Sequence, residues 1–148
     1  MAHIRQQIRA EFVALLTGLP LTASRIESSR VYPIRKESGH YLIITTPTDD
    51  VDSSRGVLSE FKEFRRLRVE VQCVVKAVAN YEDILDDICA QVSARLFAND
   101  RLSGLGDLDE LLSTSTSFDG EGDQPMGVAT MSFIVLYRVD ELDPTVSI

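Results

Sequence analysis

The stretch from Leu111 to Val139 alternates at a period of two, and this constrains the fold more than any other feature of the chain. Met131, Phe133, Val135, Tyr137 and Val139 fall on one face of an extended segment, and Ser132, Ile134, Leu136 and Arg138 fall on the other. That repeat belongs to a strand in a sheet. A second strand precedes it, across the polar turn Phe118-Asp-Gly-Glu-Gly-Asp-Gln-Pro-Met126. The face away from the core still carries Ile134 and Leu136, so the sheet is apolar on both sides. One side calls for a helix layer and the other for a further partner. The turn offers acids and glycines but neither a nucleophile nor a base, which suits assembly better than chemistry.

The rest of the chain supplies the helix layer. Ile4, Ile8, Phe12, Leu15, Leu16 and Leu19 recur at helical spacing, with Gly18 and Pro20 as the stop, and predict a helix over 4–19. Residues 25–33 read as a short extended piece broken at Pro33, and Tyr41-Leu-Ile-Ile-Thr-Thr46 as a central strand stopped by Pro47. Residues 47–60, with Asp49, Asp50, Asp52 and Arg55, have the composition of a long mobile loop. A strand over 64–78 points Leu67, Val69, Val71, Cys73 and Val75 one way and Arg66, Arg68, Glu70, Gln72 and Lys76 the other. Asn80 is placed to cap a second helix, whose apolar stripe is Ile84, Leu85, Ile88, Val92 and Leu96. A short acidic stretch, Leu105 to Leu112, leads into the final strand pair. The order predicts a single α+β domain over 1–148: a mostly antiparallel sheet of four to five strands with two helices packed on one face.

Composition narrows the function. No segment approaches the ~20 apolar residues of a membrane span, and the start lacks the apolar run of a secretory signal, so the chain is expected in a cytosol. Net charge is −8, and residues 80–123 hold Arg95 and Arg101 against eleven acids. A chain this acidic lacks the cationic patch that a nucleic-acid backbone needs. The same acids also serve simply to keep a small protein soluble. Phe61-Lys-Glu-Phe-Arg-Arg-Leu-Arg68 is the one basic, aromatic-bearing run, but Glu60, Glu63 and Glu70 interrupt it, which fits a solvated face or an ion-pairing surface between subunits.

Catalytic groups are sparse. His3 and His40 have no acid at a spacing that would hold an imidazole as a base. Cys73 and Cys89 lack metal or redox spacing and read as buried small hydrophobes. The cluster Asp49, Asp50, Asp52 and the turn acids Asp119, Glu121 and Asp123 are the only candidates for a cation, without the calcium-loop pattern. Phosphate-binding glycine loops are absent.

Several segments, taken in order, resemble the tail terminator proteins of long-tailed phages, the minor tail protein U type. They are His3-Ile-Arg-Gln-Gln-Ile-Arg-Ala-Glu-Phe-Val-Ala-Leu-Leu-Thr-Gly18, Ser24-Arg-Ile-Glu-Ser-Ser-Arg-Val-Tyr-Pro33, Tyr41-Leu-Ile-Ile-Thr-Thr46 with its acidic sequel, Arg68-Val-Glu-Val-Gln-Cys-Val-Val-Lys76 and Asp119-Gly-Glu-Gly-Asp-Gln-Pro-Met-Gly-Val128 running into Phe133-Ile-Val-Leu-Tyr-Arg138. Ser38-Gly-His40 departs from the Leu-Pro that such proteins often carry. The resemblance covers most of the chain. It implies a homo-oligomeric ring, a hexamer, that caps the finished tail tube and docks the head-tail connector protein. It further implies a location in the virion tail after assembly in the host cytoplasm, with no reaction catalysed and no cofactor held. On that reading Asp49, Asp50, Asp52, Arg55, Arg65, Arg66 and Arg68 are expected at the subunit or tube interface. Glu82, Asp83, Asp86 and Asp87 are expected to face a channel through which DNA passes without sequence-specific binding. The alternatives are a head-tail connector or head-closure protein, and a small cation-binding α+β domain.

Overall fold

The computed structural model describes residues 2–28, 40–51, 62–76, 80–119, 126–140 and 143–147. Two α-helices, α1 (Ile4–Leu16) and α2 (Tyr81–Phe97), accompany six strands: β1 (Ile26–Ser28), β2 (Tyr41–Val51), β3 (Lys62–Lys76), β4 (Asp107–Asp119), β5 (Met126–Asp140) and β6 (Asp143–Ser147). The strands form one sheet in the order β1-β2-β3-β5-β4, with β6 against β5. Only β1 runs parallel to its neighbour, through Ile26 opposite Leu42, and every other pairing is antiparallel. The α+β class and the helix layer agree with the expectation from sequence.

Helix α1 forms because Ile4, Ile8, Phe12 and Leu16 recur every fourth residue and all four are buried. The His3 ring caps it, Nδ1 accepting from the Arg5 N–H at 3.0 Å. It ends at Leu16 rather than at Leu19. Thr17 turns extended and its hydroxyl donates to the Val13 carbonyl at 2.6 Å, and Gly18 then takes the left-handed φ of 92°. Leu19 still reaches the core from the turn that follows. In α2, Leu85, Ile88, Val92 and Leu96 are buried. Asn80 sits at its N-cap without a side-chain capping bond, while Glu82 and Asp83 in the first turn oppose the positive end of the helix dipole.

Both helices lie on the same face. The ring of Phe133 on β5 meets Phe12 of α1 and Phe97 of α2, each at 6.2 Å between centroids. Around this contact sit Leu42 and Ile44 of β2, the alternate residues Leu67 to Val75 of β3, and Ala129, Met131, Val135, Tyr137 and Val139 of β5. The period-two reading of the final strand therefore holds in detail.

Three strand boundaries also differ from expectation. Strand β2 does not stop at Pro47 but continues to Val51, so the expected loop over 47–60 is strand at its start; 52–60 lie outside the described residues. The register with β3 shifts between Thr45 and Thr48, and this bulge admits a proline, which has no N–H to give the ladder. The acidic stretch Leu105 to Leu112 is likewise strand from Asp107 onward, interrupted by two register shifts, at Leu108/Glu110 and at Leu111/Ser113. Strand β3 is already formed at Lys62 rather than beginning at Phe64, and its expected end at 78 falls among 77–79, outside the described residues. Among the described residues no helix is long and apolar enough to cross a membrane.

Candidate functional site

The residues singled out in the sequence separate onto three parts of the fold. Asp49 and Arg65 turn to the helix-covered side. Asp49 stands opposite Leu67, and Arg65 opposite Tyr137, in a row of inward-facing positions. The Asp49 side chain is 2% exposed. Its Oδ2 accepts from Arg65 Nη1 at 3.2 Å and from the Tyr137 hydroxyl at 2.5 Å, and Arg5 Nε lies 3.5 Å away. Arg65 is also held by Glu63, with Nε donating to Oε2 at 2.7 Å. Burial lowers the affinity of the Arg65 guanidinium for its proton, but the bond to Glu63 and the charge of Asp49 more than offset this, so its pKa rises. Burial, reinforced by the bond to Asp49, pushes the Tyr137 phenol well above its ordinary range. His3, at the rim, is drawn down by burial and by the charge of Arg5.

This cluster ties the start of α1 to β2, β3 and β5. Asp49 and Arg65, expected at a subunit or tube interface, bond each other within the chain, with Asp49 buried. A cation at Asp49 is disfavoured as well, because two guanidinium groups already neutralise that carboxylate. Sequence reasoning missed Arg5 and Tyr137 as partners. The available signal was chemical, since a tyrosine in a fully apolar row needs a bond for its hydroxyl.

Arg66 and Arg68 lie on the outer face, away from the helices. Arg66 Nη2 is 3.7 Å from Glu110 Oε1, and Arg68 Nε is 3.5 Å from Glu70 Oε1, while Arg68 Nη2 donates to the Ser132 hydroxyl at 3.2 Å. The guanidinium-bearing side chains are 45% and 38% exposed. Between them and β4 runs the second apolar row. Ile134, opposite Arg68 and Glu110, is only 6% exposed although no helix covers it. Its neighbours across the two ladders, Arg68 and Glu110, are long side chains whose aliphatic stems are able to cover apolar surface. Tyr41 and Val74, paired across β2 and β3 on the same face, are also buried, with Lys76 Nζ 5.9 Å from the Tyr41 ring centroid. Asp50, opposite Arg66, is exposed. Asp52 and Arg55 lie outside the described residues.

The third part is the outward side of α2. Glu82, Asp83, Asp86 and Asp87 are all exposed. Among the described residues no basic side chain forms an ion pair with them. They line up beside Ala90 and Ala94, also exposed, as an anionic wall.

The backbone carbonyl of His40 accepts from Arg25 Nε at 2.7 Å, while its ring Nδ1 is buried without a hydrogen-bond partner. Cys73, buried on β3, and Cys89, half-buried on α2, are free thiols; interaction with Cys89 and burial push Cys73 up, and interaction with Cys73 draws Cys89 down. Among the described residues no group of three histidine, cysteine or acidic side chains converges as metal ligands. Asp119 ends β4, and Glu121 and Asp123 lie outside the described residues.

No family model matches the chain, and no curated protein matches it. Two solved structures are similar to this chain. One, which carries no functional description, is 18% identical with a TM-score of 0.52, covering 89% of this chain and 94% of its own. Another is a chain from the virion of a native gene transfer agent particle, 16% identical with a TM-score of 0.36, covering 90% of this chain and 92% of its own. The first likeness concerns the fold alone.

Proposed function

We propose that this chain is a structural protein of a phage-like virion and acts as a tail terminator. Copies close into a hexameric ring on the finished tail tube, stop its growth and offer a docking surface to the head-tail connector protein. The chain catalyses no reaction. The ordered sequence resemblance supports this reading, and one geometric observation carries it: the pair Arg66 and Arg68 on the outer face. Their in-chain acids stand at 3.5 Å or more, the two side chains are 45% and 38% exposed, and the Nε of Arg68 has no hydrogen-bond partner within the chain. Such pairs contribute only about 0–1 kcal/mol each, so they can be exchanged for acids of a neighbour at little cost. The row of Ile134 and Leu136 beneath supplies apolar area once the stems swing aside. A contact of this kind joins two different surfaces, and such a contact closes into a ring when its rotation permits. The anionic wall of Glu82, Asp83, Asp86 and Asp87 then faces the channel, where like charge lets DNA pass without adhering.

Native mass spectrometry of the purified protein over a range of concentrations tests the ring. A hexamer that appears at raised concentration and dissociates with added salt is expected. A fixed monomer at every concentration, with and without tail tubes, overturns it.

A further inference from the structure

The outer edge of β4 is guarded along one half and bare along the other. Residues 107–111 carry Asp107, Asp109 and Glu110, and the two register shifts fall at Leu108/Glu110 and at Leu111/Ser113, the second at Leu112 where the bare half begins. Acids and bulges are the devices that keep an edge strand from recruiting another strand. Residues 112–118 read Leu-Ser-Thr-Ser-Thr-Ser-Phe, with no charge, proline or glycine. From Ser113 opposite Ser132 to Asp119 opposite Met126 their ladder with β5 is regular. All seven are exposed, Leu112 by 50% and Phe118 by 51%, and among the described residues no strand pairs with this edge. Helix α2 packs on β3 and β5 and reaches this edge only at its end, where the Tyr81 ring meets Phe118 at 5.0 Å.

We propose that this bare edge pairs antiparallel with the same edge of a second copy, about a two-fold axis through Ser115. The segment is self-complementary around that residue. Ser115 meets its own counterpart, Ser113 meets the partner's Ser117, Thr114 meets the partner's Thr116, and Leu112 meets the partner's Phe118. Thr114, Thr116 and Phe118 stand opposite Met131, Ala129 and Gly127 on the helix-side face, whereas Ser113, Ser115 and Ser117 stand opposite Ser132, Thr130 and Val128 on the outer face. In this register threonine faces threonine and serine faces serine, and both helix layers lie on one side of a continuous sheet. Shifting either way by two residues sets Leu112 or Phe118 against a threonine and loses the apolar pair at each end. The net charge of −8 opposes approach of two copies elsewhere, and these seven residues bring no charge to the contact. The contact is small, so the dimer is weak and depends on concentration. It is isologous and closes at two copies, so it stands independently of the ring proposed above.

Cysteine cross-linking of the purified protein tests the register directly. Opposed residues of an antiparallel pair have Cα atoms about 4.5–5.5 Å apart, within the range a disulfide spans. Under mild oxidation Ser115→Cys is expected to give a covalent dimer, with the 115–115 linkage located by peptide mass spectrometry. Ser113→Cys and Ser117→Cys are expected to stay monomeric alone and to cross-link when mixed. In sedimentation equilibrium the parent is expected to gain mass with concentration more than a Ser115→Lys variant of unchanged circular dichroism. A Ser115→Cys protein without a 115–115 linkage, or one in which Ser113→Cys alone links as well as Ser115→Cys, overturns the proposal. So does a Ser115→Lys variant that associates as the parent does.

Discussion

The hydroxyl of Tyr137 on β5 donates to the carboxylate of Asp49 on β2 across 2.5 Å, bridging over β3, which lies between the two strands. Arg65 of β3 completes the bridge from below at 3.2 Å. Three strands and the start of α1 are thus joined at one buried charge.

Removing the phenol should weaken the fold. Tyr137→Phe deletes a hydrogen bond to a charged group, and urea denaturation should show a loss of about 1.5–3 kcal/mol. Asp49→Ala leaves Arg65 with Glu63 alone and should cost about 3 kcal/mol or more. A loss below about 0.5 kcal/mol for both variants would contradict the structural role given to the cluster.

Burial of the phenol, reinforced by the same bond, sets a pH dependence. Folded Tyr137 keeps its proton beyond its ordinary value of 10.0, so the unfolded chain ionises there first. Above that pH the unfolded state binds fewer protons, and stability falls as pH rises. The contribution is fully present below pH 10.0 and is lost progressively above it. The stability gap between wild type and Tyr137→Phe should therefore shrink in alkaline solution, as measured by denaturation at a series of pH values. A constant gap would contradict the assignment.

Gly127 marks a close approach. A Cβ there would lie 2.5 Å from Cδ2 of Tyr81, whose ring also meets Phe118 at 5.0 Å. Gly127→Ala should displace that ring at a cost of about 1–3 kcal/mol and lower the thermal midpoint by about 3–9 °C. Loss of the Tyr81–Phe118 contact in nuclear Overhauser spectra should accompany it. An unchanged midpoint with the contact intact would count against this packing.

The sequence made the repeating parts legible and hid those that depend on distant partners. Alternation from Met131 to Val139 and the four-residue repeat from Ile4 to Leu16 follow from burial of one face, which composition records locally. Thr48, Asp49 and Asp50 have loop composition, yet they extend β2 because Arg68, Leu67 and Arg66 wait opposite them. Asp49 finds Tyr137 across 88 positions, and no local period encodes that. Acids at Asp107, Asp109 and Glu110 likewise suggested a connector, because an edge strand with bulges breaks the period-two pattern. Only Arg66 and Arg68, two apart on a regular strand, had their shared face correctly legible among the proposed interface residues.

The acids of α2 carry the channel reading. Asp86→Lys with Asp87→Lys changes two exposed side chains and should leave circular dichroism unchanged. On the proposed ring it should retain DNA in the channel and reduce infectivity of particles carrying it. Fully infective particles with the variant incorporated would remove these acids from the channel wall.

Tail-tube length tests the central claim most directly. Tubes should be assembled with wild-type protein and with an Arg66→Glu, Arg68→Glu variant whose circular dichroism matches wild type, and measured by electron microscopy. The account predicts tubes of uniform length capped by wild-type protein, and tubes that grow past that length with the variant. Normal tubes with the folded variant would contradict the arginine contact, and wild-type protein that never associates with tubes would contradict the terminator reading itself.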